Sequence, residues 1–493
     1  MLMSGKEYLE TLRDGRAIYI GSERIEDVTT HPAFRNAART VAAIYDLKAD
    51  PADTDLSYEE GGERFPAYTL RARTREDLLK RTRAHRRIAD LTLGMFGRSP
   101  DHVPSYVTGM TLAPEVFDAN RQGFAANLHA YWDLIRRRDL YVSYAVIQPQ
   151  SVRDTSFTQR AAADVPTLRV VREDDAGVVL SGMKMVATAG AFSHDVWIGN
   201  ILPLSPERKA EAITCALPVA APGVSLWSRR PIELRAGDAF ESPLASRFDE
   251  SDCMVLCDDV HVPWERVFIH EDPAASRDIY IRTPAHSYNN HQSCVRFWSK
   301  LGFIVGVASR VAQANGADRV PAVQETLGRL ASFEAILGGL VHGQVQDCDA
   351  WPGGWVGYNR RTVYATINWC IENYAAIVDV LRELCGAGIF QMPGSATVMD
   401  DPRLRDRFER WWASPTQGAL ERMKLFNLAW DLIGSEFAGR HQSYEKFYLG
   451  PGYIVRNHSV REAPWDEFHR RVDEFMASYE RSPGPVGDPG DVR

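Results

Sequence analysis

The stretch YVSYAVIQPQ, residues 141–150, separates two kinds of sequence. Before it, apolar residues recur mainly at helical spacing, whereas after it short runs rich in β-formers alternate with turn residues. These runs are TLRVVRE (167–173), GVVLSGMKMVAT (177–188), VWIGNILPL (196–204), AITCALPV (212–219) and CMVLCDDVHV (253–262). Their regular spacing predicts a compact antiparallel barrel or sandwich.

The sequence on both sides of this β-rich region is helical. We expect a capping box at Ser4 and Glu7, a longer helix opened by Thr74, and no clear strand before residue 141. The remaining predicted helical stretches are 106–139, the region from 291 to about 350, 361–386, 403–413, 417–433 and 464–480. The sequence therefore predicts an α+β protein with three parts: a mainly α domain (1–143), a β-barrel domain (144–275) and a C-terminal helical bundle with its tail (276–493).

Composition excludes several classes of protein. The chain has 493 residues, 45% hydrophobic and 25% charged, which is typical of a globular protein. Its 57 basic and 65 acidic residues give a net charge of −8, which argues against a nucleic-acid-coating surface. No apolar run reaches the roughly 18 residues of a membrane helix, and the N-terminus has no signal-peptide core, so we expect a cytoplasmic protein.

Familiar cofactor and metal motifs are missing from the sequence. There is no phosphate loop and no HExxH, and the seven scattered cysteines contain no CxxC pair, so we expect no metal site. The run GAGIFQ (386–391) lacks the third glycine of a dinucleotide fingerprint and follows a helical run, which favours a helix C-terminal turn. A nucleotide would therefore bind without a Rossmann domain.

The segment GRSPDH, residues 97–102, is the most informative local motif. Ser99 followed by Pro100 predicts a helix start, which places His102 in the first turn and Arg98 beside it. The helix dipole at that position disfavours an imidazolium, so His102 should stay neutral. The alternative reading is an ordinary capped helix with surface Arg and His side chains.

Three further segments combine polar and aromatic residues. SYAVIQPQ lies at the junction of two predicted domains, NNHQ (289–292) lies at the entry to a long helix, and GRHQSYEKFY (439–448) lies late in the helical block. Domain junctions favour ligand sites. Each segment also has a structural reading: a buried strand, a hydrogen-bonding histidine and a solvated helix end, respectively.

Together, these segments resemble the oxygenase-component family of 4-hydroxyphenylacetate 3-monooxygenase. The opening EYLETLRDGRAIYIGSERIEDVTTHPAFRNAARTVAAIYDL, then GRSPDH, SYAVIQPQ, KMVAT, SPLASRFDESDCMVLCDDVHVPWERVFI and SEFAGRHQSYEKFY follow that family's order over nearly the whole chain. The resemblance implies an acyl-CoA dehydrogenase-like fold, with an α domain, a β-barrel domain and a helical bundle that assembles homotetramers.

The resemblance also implies an activity. Reduced FAD would diffuse from a separate NAD(P)H-dependent reductase, react with O2 to form a flavin C4a-hydroperoxide, and hydroxylate a small phenol. The peroxide must be shielded from water, and the phenol must approach phenolate character. GRSPDH and SYAVIQPQ look more like the chlorophenol and nitrophenol branch, so halo- or nitrophenols are the expected substrates.

Residue roles follow from the same resemblance. Arg98 matches an arginine that contacts substrate. His102 and Tyr144 stand where the hydroxyphenylacetate enzymes have tyrosine and histidine, which puts hydroxyphenylacetate itself in doubt. His291 matches the proposed phenol base, and Arg440 is a further candidate near the substrate.

The expected flavin contacts come from three parts of the sequence. Thr188 matches a threonine beside the flavin N5 edge, where a hydroxyl can hydrogen-bond the hydroperoxide, so Thr188 is an expected catalytic residue together with Arg98 and His291. The other expected flavin contacts are Gln150, Arg153, Ser443, Tyr444, Glu445 and Lys446.

Several alternatives remain open from the sequence. Within the monooxygenases, the substrate could be a 4-hydroxyphenylacetate- or tyrosine-derived phenol of a catabolic or biosynthetic pathway. Outside them, an acyl-CoA dehydrogenase-like flavoprotein or an inactive assembly partner is an alternative. A 4-hydroxybutyryl-CoA dehydratase would need three cysteines and a histidine around an iron–sulfur cluster, whereas the matching places hold Arg98, His102 and His291.

Overall fold

The computed structural model describes residues 2–153 and 165–479. Its α-helices are α1 Gly5–Thr11, α2 Arg35–Ala49, α3 Arg75–Leu91, α4 His102–Met110, α5 Glu115–Asp118, α6 Phe124–Arg138, α7 Ala245–Phe248, α8 Ala275–Ile281, α9 Ala285–Ala314, α10 Pro321–Gln346, α11 Arg360–Cys385, α12 Pro402–Trp412, α13 Ala419–Ile433, α14 Glu436–Phe447, α15 Gly452–Glu462 and α16 Trp465–Met476.

The strands are shorter than most of the helices. They are β1 Ile18–Ile20, β2 Glu23–Ile25, β3 Ser57–Glu60, β4 Glu63–Pro66, β5 Val142–Ala145, β6 Arg169–Asp174, β7 Gly177–Thr188, β8 Asp195–Ile198, β9 Thr214–Pro218, β10 Val224–Ser228, β11 Asp252–Pro263, β12 Val267–Ile269, β13 Asp349–Trp351 and β14 Trp355–Gly357. The order α, then β, then α is confirmed.

Local signals placed most helices correctly. Capping boxes at Ser4 and Thr74 open α1 and α3, as predicted. The helix α11 ends at Cys385, and Gly386 follows it with a positive φ of 53°, so the GAGIFQ run is the predicted helix-end turn. The predicted helical stretch 106–139 is divided into α4, α5 and α6.

The expectation of no strand before residue 141 is wrong. Strands β1 to β4 lie in that region, and β1 pairs in parallel with β10, which is about two hundred residues later in the chain. These strands have only three or four residues, too few for a period of two to stand out. Their pairing is a long-range property that local sequence does not carry.

The predicted β-barrel is also corrected: among the described residues the β region is two sheets that do not close into a barrel. One sheet has the order β2-β1-β10-β11-β7-β6, and the other has the order β12-β9-β8-β5. A bridge between Ile147 and Met185 links the two sheets, and residues of both belong to one apolar core. The pairings β1–β10 and β5–β8 are parallel, so the sheets are mixed.

Strand β11 shows how the sequence sets the sheet. Cys253, Val255 and Cys257 alternate into the core, as a period of two requires. The register then shifts between Cys257 and Val260, so that Val260 and Val262 also point inward. This β-bulge keeps the apolar positions buried along a twelve-residue strand.

The long helix α9 runs through the centre of the molecule. From Ala285 to Leu301 nearly every side chain is buried, including the polar run from Asn289 to Ser293. The polar side chains of a helix that is buried on all sides must find hydrogen-bond partners within the protein. Gly109 lets α4 approach this helix closely, because a Cβ there would lie 2.6 Å from the Cα of Ala285.

Among residues 2–153 and 165–479, no helix is both long enough and apolar enough to cross a membrane.

The contact between Gly94 and α9 gives a stability prediction. Gly94 has φ +66°, and a Cβ there would lie 2.4 Å from the carbonyl oxygen of Arg296 and 2.6 Å from the amide nitrogen of Lys300. We expect Gly94→Ala to lower the free energy of unfolding by about 3 kcal/mol, since the left-handed conformation and the steric overlap both oppose the new methyl group. The measurement is the midpoint of thermal or denaturant unfolding.

Gly61→Ala is the matched control. Gly61 has a similar φ of +60°, but nothing lies within 4 Å of an added Cβ. We expect a loss of about 1 kcal/mol from backbone conformation alone. Equal losses for the two variants would contradict the close approach of Gly94 to α9.

Candidate active site

Arg98 is a buried cation that packs against two aromatic rings. Its guanidinium lies 4.5 Å from the ring centre of Tyr144 and 4.0 Å from that of Tyr448, and Nη2 donates to the carbonyl oxygen of Tyr448 at 2.8 Å. Burial alone would lower the pKa of Arg98, but Tyr144, Tyr448 and Glu250 together raise it above its ordinary value. Arg98 therefore stays charged inside the protein.

The stretch that opens the β region holds Arg98 in place. The Tyr141 hydroxyl donates to the carbonyl oxygen of Arg98, while the amide of Arg98 donates to Glu250 Oε1 at 2.6 Å. Gly97 allows α14 to close over this loop, because a Cβ there would lie 2.0 Å from the Tyr444 hydroxyl. Three separate segments of the chain therefore meet at residues 97 and 98.

His102 completes the cluster around Arg98. Arg98 Nη1 lies 2.5 Å from His102 Nε2, Gln292 Oε1 lies 2.9 Å from Nδ1, and the imidazole stacks on Tyr144 with ring centres 5.7 Å apart. Burial, and then the charge of Arg98, hold the pKa of His102 well below its ordinary range. The neutral His102 we predicted from the helix dipole is thus neutral chiefly because it is desolvated.

The predicted start of this helix needs correction. Helix α4 begins at His102, not at Pro100, and the amide of His102 donates to the carbonyl oxygen of Ser99 in a preceding turn. The Ser99 hydroxyl donates to the carboxylate of Asp101 and caps no backbone amide. The Ser99 oxygen instead accepts from the side-chain amide of Gln292, at 3.1 Å.

His291 does not join the Arg98 cluster. Its Nε2 lies 2.8 Å from the Thr82 hydroxyl, its Nδ1 lies 2.6 Å from Gln344 Oε1, and its ring stacks on Tyr358 at 3.6 Å. Both ring nitrogens already have partners on the side of α3 and α10. The expected shared pocket of His291 and Arg98 is therefore not what the structure shows.

The α9 residues that face His102 are Asn289 and Gln292. The sequence analysis missed them as site residues, although the signal was present. Positions three apart share one face of a helix, whereas position 291 is rotated from 289 and 292 by roughly 200° and 100°. Tyr448 is the last residue of the segment GRHQSYEKFY (439–448) and was not predicted to have a role, but it contacts Arg98 directly.

Thr188 and Arg440 belong to an ionic layer beside the cluster. The Thr188 hydroxyl donates to Asp252 Oδ1 at 2.7 Å, and Arg440 forms ion pairs with Asp252 at 2.9 Å and Glu250 at 2.8 Å. Although burial raises it, Arg440 and Arg229 hold the pKa of Asp252 below its ordinary value. Glu250 connects this layer to the backbone of Arg98.

The predicted flavin residues of α14 divide into two groups. Ser443 and Lys446 are exposed, and the Tyr444 hydroxyl is buried without a partner among the described residues. Glu445, in contrast, is buried in ion pairs with Arg296 and Lys300, at 2.5 and 2.9 Å. Its carboxylate anchors α14 to α9.

The predicted flavin residues after the junction lie at the edge of the described structure. Gln150 is exposed. The side chain of Arg153 lies outside the described residues.

Strand β7 carries an unusual backbone next to the junction. Val186 is about half exposed, has φ +59°, and is left out of the ladder between β7 and β11. Positive φ at a β-branched residue is strained and is common at functional sites. Because Ile147 is bridged to Met185, this backbone and the residues before Gln150 are neighbours.

Two family models and several known proteins match this chain over most of its length. Residues 4–269 match the family model described as 4-hydroxyphenylacetate 3-hydroxylase N terminal, and residues 276–477 match the corresponding C-terminal model. The oxygenase component of a Rhodococcus 4-nitrophenol 2-monooxygenase is 32% identical over 467 residues, which cover 92% of this chain and 87% of that one. The oxygenase component of Thermus thermophilus 4-hydroxyphenylacetate 3-monooxygenase is also 32% identical, covering 91% and 92%.

Solved structures agree as well. A 4-hydroxyphenylacetate 3-monooxygenase oxygenase component, crystallised with FAD and 4-hydroxyphenylacetate, superposes with a TM-score of 0.89 at 30% identity, covering 97% of this chain and 98% of that one. An archaeal 4-hydroxybutyryl-CoA dehydratase from N. maritimus shares the fold, with a TM-score of 0.86 at 18% identity over 98% and 96% of the chains. The chain therefore belongs to the 4-hydroxyphenylacetate 3-hydroxylase family.

Proposed function

We propose that this chain is the oxygenase component of a two-component flavin monooxygenase that hydroxylates a phenol. A separate NAD(P)H-dependent reductase supplies reduced FAD, and O2 is the co-substrate. The observation that carries the proposal is the buried Arg98 guanidinium beside the Nε2 atom of a neutral His102. A permanent cation next to a proton acceptor in a dry site is what the ionisation of a phenol needs.

The residues around the β7 edge suit a flavin. The strained backbone at Val186 and the Thr188 hydroxyl provide polar groups there, and the Tyr444 hydroxyl is buried without a partner among the described residues. The side chains of Gln150 and Ser443 are exposed. We propose these residues, with Lys446 and Arg153, as the FAD contacts, and Glu445 as a structural anchor. Bound reduced FAD supplies the activation of O2 and the transfer of one oxygen atom.

The chain's own residues act on the phenol. Arg98 donates a hydrogen bond to the phenol oxygen, and His102 Nε2 accepts the phenol proton. The resulting phenolate lies between a guanidinium and an imidazolium, which stabilise its charge. The ring of Tyr144 lies against both groups and keeps water away from them. Arg440 acts through Glu250 and Asp252 and supports the cluster from outside.

We place the base at His102 rather than at His291. His102 is the histidine that contacts Arg98, whereas Thr82 and Gln344 hold His291 on the side of α3 and α10. Position 102, where the resemblance gives the hydroxyphenylacetate enzymes a tyrosine, is a histidine here. The group that we propose to accept the phenol proton therefore lies on α4.

A small phenol without an acidic side chain is the substrate class we propose. The rings of Tyr144, Tyr106 and Tyr280 form a row. The ring centres of Tyr144 and Tyr106 are 6.2 Å apart, and those of Tyr106 and Tyr280 are 5.2 Å apart. These neutral rings offer an apolar wall to a halo- or nitrophenol. The carboxylate of 4-hydroxyphenylacetate would find no cation in this row of described residues.

Assembly and location complete the proposal. Several large apolar side chains of the C-terminal helices are exposed in the single chain, among them Trp411, Trp465 and Phe475. Such side chains favour burial between subunits, which supports a homotetramer. A supply of reduced flavin made from NAD(P)H supports a cytoplasmic location.

The experiment that tests the function is turnover of a phenol panel. An unrelated reductase regenerates reduced FAD, and the readouts are hydroxylated product and released halide or nitrite. We expect product from at least one halo- or nitrophenol at a rate well above the rate without the protein. If only H2O2 forms with every phenol, the proposed function is wrong.

Removal of Arg98 should weaken phenol binding selectively. We expect Arg98→Ala to raise the Kd for 4-nitrophenol about 10- to 100-fold, because a charged hydrogen bond in a buried site is lost. Reduced FAD binding, measured by anaerobic calorimetry, should change much less. Arg282→Ala, at an exposed arginine, is the control and should leave both constants unchanged. Equal loss of both ligands for Arg98→Ala would contradict a role in phenol binding.

The choice of base gives a second prediction. We expect His102→Ala to lower product formation by about 10²- to 10⁴-fold, as for the loss of a general base, while H2O2 release per NADH rises. His291→Ala removes contacts with Thr82 and Gln344 and should reduce protein stability more than the yield of product per NADH. The reverse pattern in the two variants would return the base to His291.

A further inference from the structure

The side-chain amide of Gln292 has each end held by a different partner. Its Nε2 donates to the Ser99 hydroxyl at 3.1 Å and lies 3.4 Å from Asp101 Oδ1, while its Oε1 lies 2.9 Å from His102 Nδ1. All four residues are buried. Since a carboxylate only accepts hydrogen bonds, the NH2 end of Gln292 must face Asp101 and the oxygen end must face His102.

This orientation determines where His102 carries its proton. An amide oxygen only accepts, so the Nδ1 atom of His102 is the protonated one. On the other side of the ring, Nε2 meets two donors, Arg98 Nη1 at 2.5 Å and Asn289 Nδ2 at 3.3 Å. The lone pair of the neutral imidazole therefore points at Arg98.

We infer that Gln292 is a positioning residue: it fixes His102 as the Nδ1–H tautomer, so that Nε2 is the atom that receives the phenol proton. This inference rests on the proposed function. When Arg98 turns its donor to the phenol oxygen, Nε2 keeps only the longer contact with Asn289, and the shorter Gln292 bond is then the main contact that keeps the tautomer. After the transfer, the same bond stabilises the imidazolium, because Nδ1–H still donates to Oε1.

Asp101 and His85 extend the arrangement away from the pocket. Asp101 Oδ2 lies 2.7 Å from His85 Nδ1, and its Oδ1 accepts from Ser99. The carboxylate thus has fixed partners on both oxygens and cannot turn toward His102. The other titratable or charged side chains around His102 are Arg98, Tyr144, Tyr448 and Arg296, none of which contacts Gln292 through a side-chain hydrogen bond.

The test uses 4-nitrophenol, whose neutral and ionised forms differ in visible absorption. The purified protein binds the probe without reduced flavin, and the absorbance is followed across pH. We expect wild type to ionise the bound probe at least one pH unit below the pH at which it ionises in solution. Gln292→Met keeps the size of the side chain but removes the acceptor, so most of this shift should disappear.

Kinetics separate positioning from simple damage to the pocket. For Gln292→Met we expect kcat for hydroxylation to fall about 10-fold or more, while KM changes less than about 3-fold, because binding by Arg98 is intact. Gln313→Met, the same substitution elsewhere on α9, is the control and should behave like wild type. If Gln292→Met does not fold, Ser99→Ala, which loosens the Gln292 amide, should give a smaller shift in the same direction.

Two results would overturn different statements. If wild type ionises bound 4-nitrophenol and Gln292→Met (or Ser99→Ala in its place) ionises it equally, the positioning role is wrong and the proposed function stands. If wild type neither binds 4-nitrophenol nor hydroxylates any phenol of the panel, the proposed function itself is wrong.

Discussion

The site depends on one constraint, the burial of polar side chains along a helix that has no solvent-facing side over its first half. Asn289, His291 and Gln292 lie in the interior, where an unpartnered polar atom costs about 1–3 kcal/mol. Each therefore needs a partner on a neighbouring element. α9 meets α4 on one side and α3 and α10 on the other, and the partners available there decide which polar residues face the pocket.

Much of the architecture could be predicted from local sequence, because capping boxes, helical periodicity and the change of texture near residue 141 are local signals. The strand order of the β region could not be predicted in this way, since pairing of β1 with β10 joins segments about two hundred residues apart. A short strand acquires its identity only from its partner. The two mixed sheets, in place of a barrel, follow from that pairing.

The site was predicted unevenly for a similar reason. Arg98, His102 and Tyr144 lie together as expected, because each belongs to a motif of several residues, and such a motif has a defined local geometry. His291 does not lie with them, because the identity of a residue does not determine which side of α9 it faces. Counting 100° per residue would have selected Asn289 and Gln292 instead. The contacts of Arg440 could not be predicted without the fold, since Asp252 at the start of β11 and Glu250 just before it are distant from Arg440 in the sequence.

The anchoring of α14 has a consequence for how small molecules reach the interior. Glu445 neutralises both Arg296 and Lys300, so lifting this helix would strand two cations in a medium that hydrates them poorly. These ion pairs therefore hold α14 in place next to Arg98. A small molecule that reaches Arg98 must therefore pass between elements that can move without breaking these ion pairs.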